Sequence, residues 1–451
     1  MRTGLNLWQG LCGACLRSAF ARNLPPWWLL IGLLFFANAQ VAPAQSADSL
    51  RLEQVTREVI EHNDMIAAAR YMETAAQSRV SAEGSWPDPM LMVGVANLPT
   101  SFDFKEDPMT MTMVGLRQSI PYAGQKGLSA DAARAEAEVA TLDRRATEVD
   151  LARMARYAFS ELYYRNRMLD LLKHQLELVH TVAVAAESRL ATGQADQHEA
   201  LSAQAEAWRL EARVLDAIHM LDEARYELNT LRGLAAITAV PALAAPPTAV
   251  LPDSPRVWLE AAQRNYPPLA RVRRQSAAYG YSGEAAGRMS WPMLELSASY
   301  AFRFDNGMEM RDDMVNFEAA FSLPFFEGGS QKDMARSMEA MRQSADAEAL
   351  QMTREIEAKL LVLHTTASHL VSQDTLYRIR IVPTSEDAFR SALAGYTANR
   401  VPYATLLQLL SDVLRDRVAE NETSLQLSRT WADIESFTRD PMELAPQPAG
   451  P

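Results

Sequence analysis

Eight methionines crowd two short stretches of the chain: Met90, Met92, Met109, Met111 and Met113 in the first, Met308, Met310 and Met314 in the second. Thioethers coordinate soft ions such as copper or silver, so these residues are weak candidates for a metal site. Methionine is also an adaptable apolar side chain, and the plainer reading makes them lipid-facing or packed wall. The seven histidines offer less. His174 and His180, like His364 and His369, lack the i,i+4 spacing of a helical zinc pair, and there is no HExxH. They read as satisfied or solvated helix histidines. No glycine-rich phosphate loop, GxSxG elbow or supported acid pair is present. The chain therefore reads as a non-enzyme without a cofactor.

The elements that carry these residues repeat. The run WPDPMLMVGVANLPTSFDFKEDPMTMTMVGLRQSIPYAG, beginning at Trp86, has a counterpart in WPMLELSASYAFRFDNGMEMRDDMVNFEAAFSLPFFEGG at 291–329. Trp86-Pro87 matches Trp291-Pro292, and Ile120-Pro121 matches Leu323-Pro324. Alternation of side chains predicts strands at 90–98 and 109–118, then at 293–302 and 313–323. In the first strand Met90, Met92 and Gly94 share one face, with Leu91, Val93 and Val95 on the other. A repeat of this length is far longer than a solenoid unit, and it predicts two copies of a β-hairpin-plus-helices module.

Helix-forming residues dominate elsewhere. Residues 48–83 show helical apolar spacing with a break near Asn63, and Gly84 with Trp86-Pro87 ends them. From Gln125 to about Leu190 there is no proline, and the run predicts a helix on the order of 100 Å long. A turn around Gly193 leads to a second helix running to about Leu234. After Pro267-Pro268 interrupts a shorter helix, the pattern returns from Gln331 to Thr397, where Pro383 must bend or break it. A turn at Asn399-Arg400 precedes a last helix ending near Phe437. The two tips superimpose at an offset of 206, Gly193 on Asn399, and both residue types tolerate a left-handed turn.

The resulting boundaries are 1–44 for a signal peptide, 45–235 for the first repeat, 236–256 for a Pro/Ala linker, 257–440 for the second repeat and 441–451 for a loose tail. In the first segment Arg2, Arg17 and Arg22 precede an apolar core and small-residue cleavage sites after 39 or 44. Both cysteines, Cys12 and Cys15, lie ahead of that core, so the mature chain should have no disulfide and lipidation is not expected. With 451 residues, 48% of them hydrophobic and 22% charged, the chain can bury a large core. A net charge of −12 argues against a nucleic-acid partner. Beyond residue 44 no stretch is apolar and long enough for a transmembrane helix. An exported chain of this kind in a membrane would span it with strands. Four strands cannot close a barrel alone, so that location requires oligomers.

On this reading Gly193, Asp196, Glu199, Asn399, Arg400, Thr405 and Gln408 are pore or aperture candidates at the helix tips. Asp103, Glu106, Asp107, Asp305, Glu309 and Asp312 are candidates for the exterior loops. Trp86 and Trp291 are candidates for the membrane boundary, with core packing the competing assignment.

The chain resembles the TolC-like outer-membrane efflux proteins. The resemblance covers essentially the whole mature chain and rests on the duplication, on WPDPMLMVGVANLP, on GLRQSIPYAGQKG at 115–127, on FSLPFFEGG at 321–329 and on YTANRVPYATLLQLLSDVLRDR at 396–417. The PDPM and SIPYAG forms look most like the heavy-metal cation efflux branch, the CzcC/CusC-like members. The resemblance implies a mainly α chain with a membrane β-barrel: a homotrimer in which four strands per chain close a twelve-stranded barrel, continued by a long helical periplasmic tunnel. It implies an outer-membrane location, substrate passing without a covalent step, and two partners. These are a periplasmic adaptor and an inner-membrane pump, the latter of the resistance-nodulation-division type. Other members carry acidic rings at the second tip, where this chain has Thr405 and Gln408. The alternatives are a channel for organic drugs or other small molecules, a periplasmic coiled-coil adaptor or structural protein, and a metal-dependent periplasmic enzyme.

Overall fold

The computed structural model describes residues 49–121, 123–247, 251–252, 254–305, 310–323 and 328–439. The signal segment with Cys12 and Cys15, the tail from 440, and Met308 and Glu309 lie outside the described residues.

Each helix boundary has a local cause. Helix α1 (Leu52–His62) stops where Asn63 takes an extended conformation and caps α2 (Asp64–Gly84), its side-chain oxygen accepting from the Met65 N–H at 2.9 Å. The Asn63 amide also donates to the Leu231 carbonyl, tying two helix ends together. Strands β1 (Met90–Ala96) and β2 (Met111–Ile120) follow. Helix α3 (Gln125–Ala191) then runs 67 residues, about 100 Å at the usual rise. Helix α4 (Gln197–Leu231) folds back along it. The second repeat gives α5 (Arg256–Asn265), α6 (Pro267–Arg288), β3 (Leu294–Arg303), β4 (Met314–Phe321), α7 (Gly328–Leu376), α8 (Val382–Thr397) and α9 (Tyr403–Thr438). Proline at the start of α6 costs nothing, because that N–H would be unpaired anyway.

The break expected at Pro383 takes a different form. The helix does not stop; a five-residue π segment, Tyr377–Ile381, joins α7 to α8. Proline cannot donate to the carbonyl one turn back, and its ring crowds it. A wider turn just upstream accommodates the misfit.

Three apolar clusters hold the helices. Val55, Val59, Ile66, Phe159 and Leu228 form one at the base of the first repeat. Trp258, Leu269, Val272, Leu360 and Trp431 form its counterpart in the second. The third joins the two helical hairpins toward their tips, with Val179, Val182 and Leu210 packed against Phe389, Tyr396, Leu406 and Leu410. Alanines such as Ala155, Ala186, Ala203 and Ala207 are buried in these seams, letting helix backbones approach closely. Polar ties zip α3 to α9 between the clusters. Arg167 meets the buried Glu420 at 3.0 Å, Gln175 donates to the Leu410 carbonyl at 3.0 Å, and Asn421 donates to that of Tyr164 at 3.1 Å.

The linker is fastened to the helices over much of its length. Asn229 donates to the carbonyls of Ala236 and Thr238, Leu50 exchanges backbone bonds with Ala242 and Ala244, and His364 meets the Pro252 carbonyl at 3.1 Å.

The four strands form one antiparallel sheet in the order β1-β2-β3-β4. The two hairpins are joined through β2 and β3, from Met111 opposite Arg303 to Ile120 opposite Leu294. The strands lie one or two residues from the predicted spans, and Met109 falls in the loop before β2. Directly paired residues share a face, so the register sorts the sheet into two surfaces. Leu91, Leu116, Ala298 and Phe317 make one cross-strand row, and Val93, Val114, Tyr300 and Val315 the next on the same side. The opposite side carries Met90, Arg117, Ser297 and Glu318 in one row and Met92, Gly115, Ser299 and Asn316 in the next. One face is apolar and open, with Leu91, Val93, Leu116 and Phe317 all exposed. The other is polar. The outer edges of β1 and β4 pair with no strand among the described residues.

Candidate functional site

The two helical tips close alike. Gly193 and Asn399 both take the left-handed conformation, with φ of 71° and 58°. At each, a backbone bond spans the turn: Gln194 N–H to the Arg189 carbonyl at 2.8 Å, and Arg400 N–H to the Gly395 carbonyl at 2.7 Å. This closure satisfies carbonyls that the helix end leaves open. It is also where the candidates Gly193, Asn399 and Arg400 are placed.

Side chains bind one tip to the other. The Arg189 guanidinium donates to the Tyr396 carbonyl and the Gln194 carbonyl, each at 3.0 Å, and to the Asn399 side-chain oxygen. It lies 4.2 Å from the centre of the Tyr396 ring, a cation–π contact. The Tyr396 hydroxyl donates to Glu199 at 3.0 Å. The fully buried Tyr396 ring faces Tyr403 across 6.1 Å. Arg189 from α3, Glu199 from α4, Tyr396 from α8 and Asn399 therefore make one latch across both repeats. Asp196, Thr405 and Gln408 are exposed around it, and Asp196 lies 3.8 Å from His198. Of the aperture candidates, Glu199 and Asn399 take part in this latch through Tyr396 and Arg189, and Asp196, Thr405 and Gln408 do not.

Sequence reasoning missed Arg189, Tyr396 and Tyr403 as a group. At the offset of 206, Arg189 aligns with Gly395, so the repeat does not mark it. The available signal was the pair of tyrosines bracketing the second turn.

Burial, and then the Glu199 carboxylate, push the Tyr396 phenol up to about 12. Burial likewise pushes Tyr403 up to about 12, with Tyr396 and Glu199 adding to it. A free phenol ionises near 10. A proton held more tightly when folded stabilises the fold fully below that pH, and the contribution is lost as pH rises through about 12. Protease resistance of the tips should therefore hold to about pH 10 and fall between about 10 and 12. Phenolate absorbance recorded beside it should lose one late-titrating tyrosine in Tyr396→Phe. Resistance unchanged through that window would contradict the assignment.

At the other end the loop acids cap their own turns. Asp103 accepts from the Lys105 N–H, Asp107 from Met109, Asp305 from Arg311, and Glu106 from the Ser101 hydroxyl; Asp312 is exposed. Arg303 donates to the Pro108 carbonyl and Arg311 to that of Phe304, while Phe104 and Phe304 meet edge-to-face at 5.5 Å. The two loops thus hold each other. Trp86 and Trp291 are 62% and 53% exposed, which excludes core packing for both; Arg288 covers the Trp291 ring at 5.5 Å.

The strand methionines are not part of the apolar wall. Met90, Met92, Met111, Met113 and Met314 all lie on the polar face, and the leucines, valines, phenylalanines and isoleucine of the strands lie on the apolar one. Met109 and Met310 are exposed in the loops. Among the described residues no group of three or more His, Cys, Asp or Glu is placed to hold a metal ion, and no helix is long and apolar enough to cross a membrane.

No family model matches the chain, and no curated protein matches its sequence. Solved structures do match its fold. The outer-membrane channel OprN superposes with a TM-score of 0.73 at 17% identity, covering 86% of this chain and 90% of that one. The outer-membrane protein VceC from Vibrio cholerae gives 0.71 at 16% identity, with coverage of 87% and 95%. CusC, whose structures concern folding and transmembrane channel formation, gives 0.71 at 14% identity, with coverage of 86% and 91%. The chain thus has the single-subunit fold of outer-membrane channels, a long helical bundle carrying a small open four-stranded sheet. Its likeness to CusC is no greater than to the other two.

Proposed function

We propose that the chain is one subunit of a homotrimeric outer-membrane channel. It would pass substrate from a periplasmic adaptor and an inner-membrane pump to the cell exterior, without catalysis. The observation that carries this reading is the sheet. It has one apolar and one polar face, with both outer edges unpaired among the described residues. An open edge in lipid costs several kcal/mol, roughly, for each unsatisfied backbone group. Pairing β4 of one copy with β1 of the next removes every edge and turns the apolar face to lipid. The likeness to solved outer-membrane channels supports the same arrangement. The helical tips then form the narrow end, and the mutually bound loops the exterior mouth.

Heavy-metal cations are the cargo we favour, on the PDPM and SIPYAG resemblance and the methionines of the polar face. The mature protein should fractionate with the outer membrane as a detergent-stable complex of about three times the monomer mass. Cells lacking it should become sensitive to copper, silver, zinc, cobalt or nickel. A water-soluble monomer overturns the channel, and sensitivity confined to dyes and antibiotics overturns the cargo.

A further inference from the structure

We propose that Met92 and Met113, with Met111 and Met314 beside them, form a thioether site for a soft monovalent cation, Cu(I) or Ag(I), on the polar face of the sheet. The first ground is how the side chains partition. Every leucine, valine, isoleucine and phenylalanine of the four strands lies on the apolar face, and every methionine lies on the other. If methionine served here as apolar bulk, it would share the face of the other apolar residues. Met293, just before β3, follows the same division: its sulfur accepts from the Ser119 hydroxyl, a polar-face residue, at 3.6 Å.

The second ground is register. Gly94 stands opposite Met113 and Met92 opposite Gly115, so Met92 and Met113 are diagonal neighbours. Such neighbours lie about 7–8 Å apart at the backbone, within reach of long side chains. Met111 is two residues along the same strand. Met314 is reached through Ala301, which pairs with both Met113 and Met314. The residues between are small. A Cβ on Gly94 would meet nothing within 4 Å, so the space beside Met113 is open. The Asn316 amide points at the Met113 sulfur from 3.8 Å, orienting it.

The donor set then selects the ion. Neutral thioethers suit soft Cu(I) and Ag(I) and are poor ligands for hard divalent cations. Because a thioether carries no proton, binding should not change between about pH 5 and 8, unlike binding at histidine, which titrates there.

The site deepens the channel reading and rests on it for access to water on that face, but its test does not require transport. Full-length protein in detergent, labelled at the methionine methyls, is titrated with silver nitrate in chloride-free buffer, and separately with zinc. Met65 and Met72, exposed on α2, serve as isolated thioether controls. Silver should shift the Met92 and Met113 methyls before those controls and equally at both ends of that pH range; zinc should shift none. The double variant Met92→Leu/Met113→Leu, nearly isosteric, should bind silver at least tenfold more weakly while keeping its oligomeric state. Uniform shifts across all methionines, no shift, or undiminished binding by the variant each overturn the site. Oligomeric mass measured on the same sample separates the two ideas: a trimer that ignores silver refutes the site alone, and a monomer that binds it refutes the channel alone.

Discussion

In the proposed channel, Arg189→Ala should open the tips and raise conductance. The guanidinium makes hydrogen bonds to the Tyr396 and Gln194 carbonyls and to Asn399, and it stacks on the Tyr396 ring. Hydrogen bonds to a charged group contribute roughly 1.5–3 kcal/mol each, and a cation–π contact about 0.5–2. Water replaces part of this at a partly exposed tip, leaving a net loss of about 3 kcal/mol, near a hundredfold shift toward the open arrangement. Planar-bilayer recordings should show larger or more frequent openings, and proteases should cut near 193 and 399. Tyr396→Phe keeps the ring and loses only the bond to the Glu199 carboxylate, so its effect should be smaller, roughly 1.5 kcal/mol. Equal conductance in wild type and Arg189→Ala would mean that the latch does not hold the tips.

In the proposed trimer, Gly115→Val should abolish assembly while leaving the helices folded. Gly115 sits in β2 where the first repeat meets the second, and a Cβ there would lie 2.5 Å from the Ala298 carbonyl oxygen and 2.5 Å from the Ser299 Cβ. Those atoms belong to the paired strand and cannot swing aside as a flexible side chain would. The pairing of β2 with β3 must part, at a cost of roughly 4 kcal/mol or more. The expected result is loss of the detergent-stable oligomer with helical circular dichroism retained. Gly94→Ala is the control, since nothing lies within 4 Å of its new Cβ. An oligomer of normal stability from Gly115→Val would refute the seam.

Much of the helical frame was legible because its punctuation is local. Asn63, Pro267, Gly193 and Asn399 each impose a conformation through their own backbone or cap chemistry, and each marks a boundary. Pro383 was legible as a misfit but not as a π segment, because neighbouring turns decide whether a helix breaks or widens. Alternation separated Met90 and Met92 from Leu91 and Val93. It could not say that Met111, Met113 and Met314 join the first pair, since that requires the pairing of β2 with β3 across the repeats. The latch was invisible for the same reason: Arg189 and Asn399 are 210 residues apart. Their polarity marks the loop acids as loop residues, but not that four of them accept hydrogen bonds within their own turns, which depends on the folded turn geometry.

The π segment at Tyr377–Ile381 makes the two hairpins mechanically unequal. A π turn inside an α-helix is a rare local widening of its hydrogen-bond ladder, so the second hairpin is interrupted between its root and its tip. Helix α3 spans its 67 residues as α-helix throughout and has no such interruption. The two repeats are similar arms, and one wide turn in the second is what tells them apart.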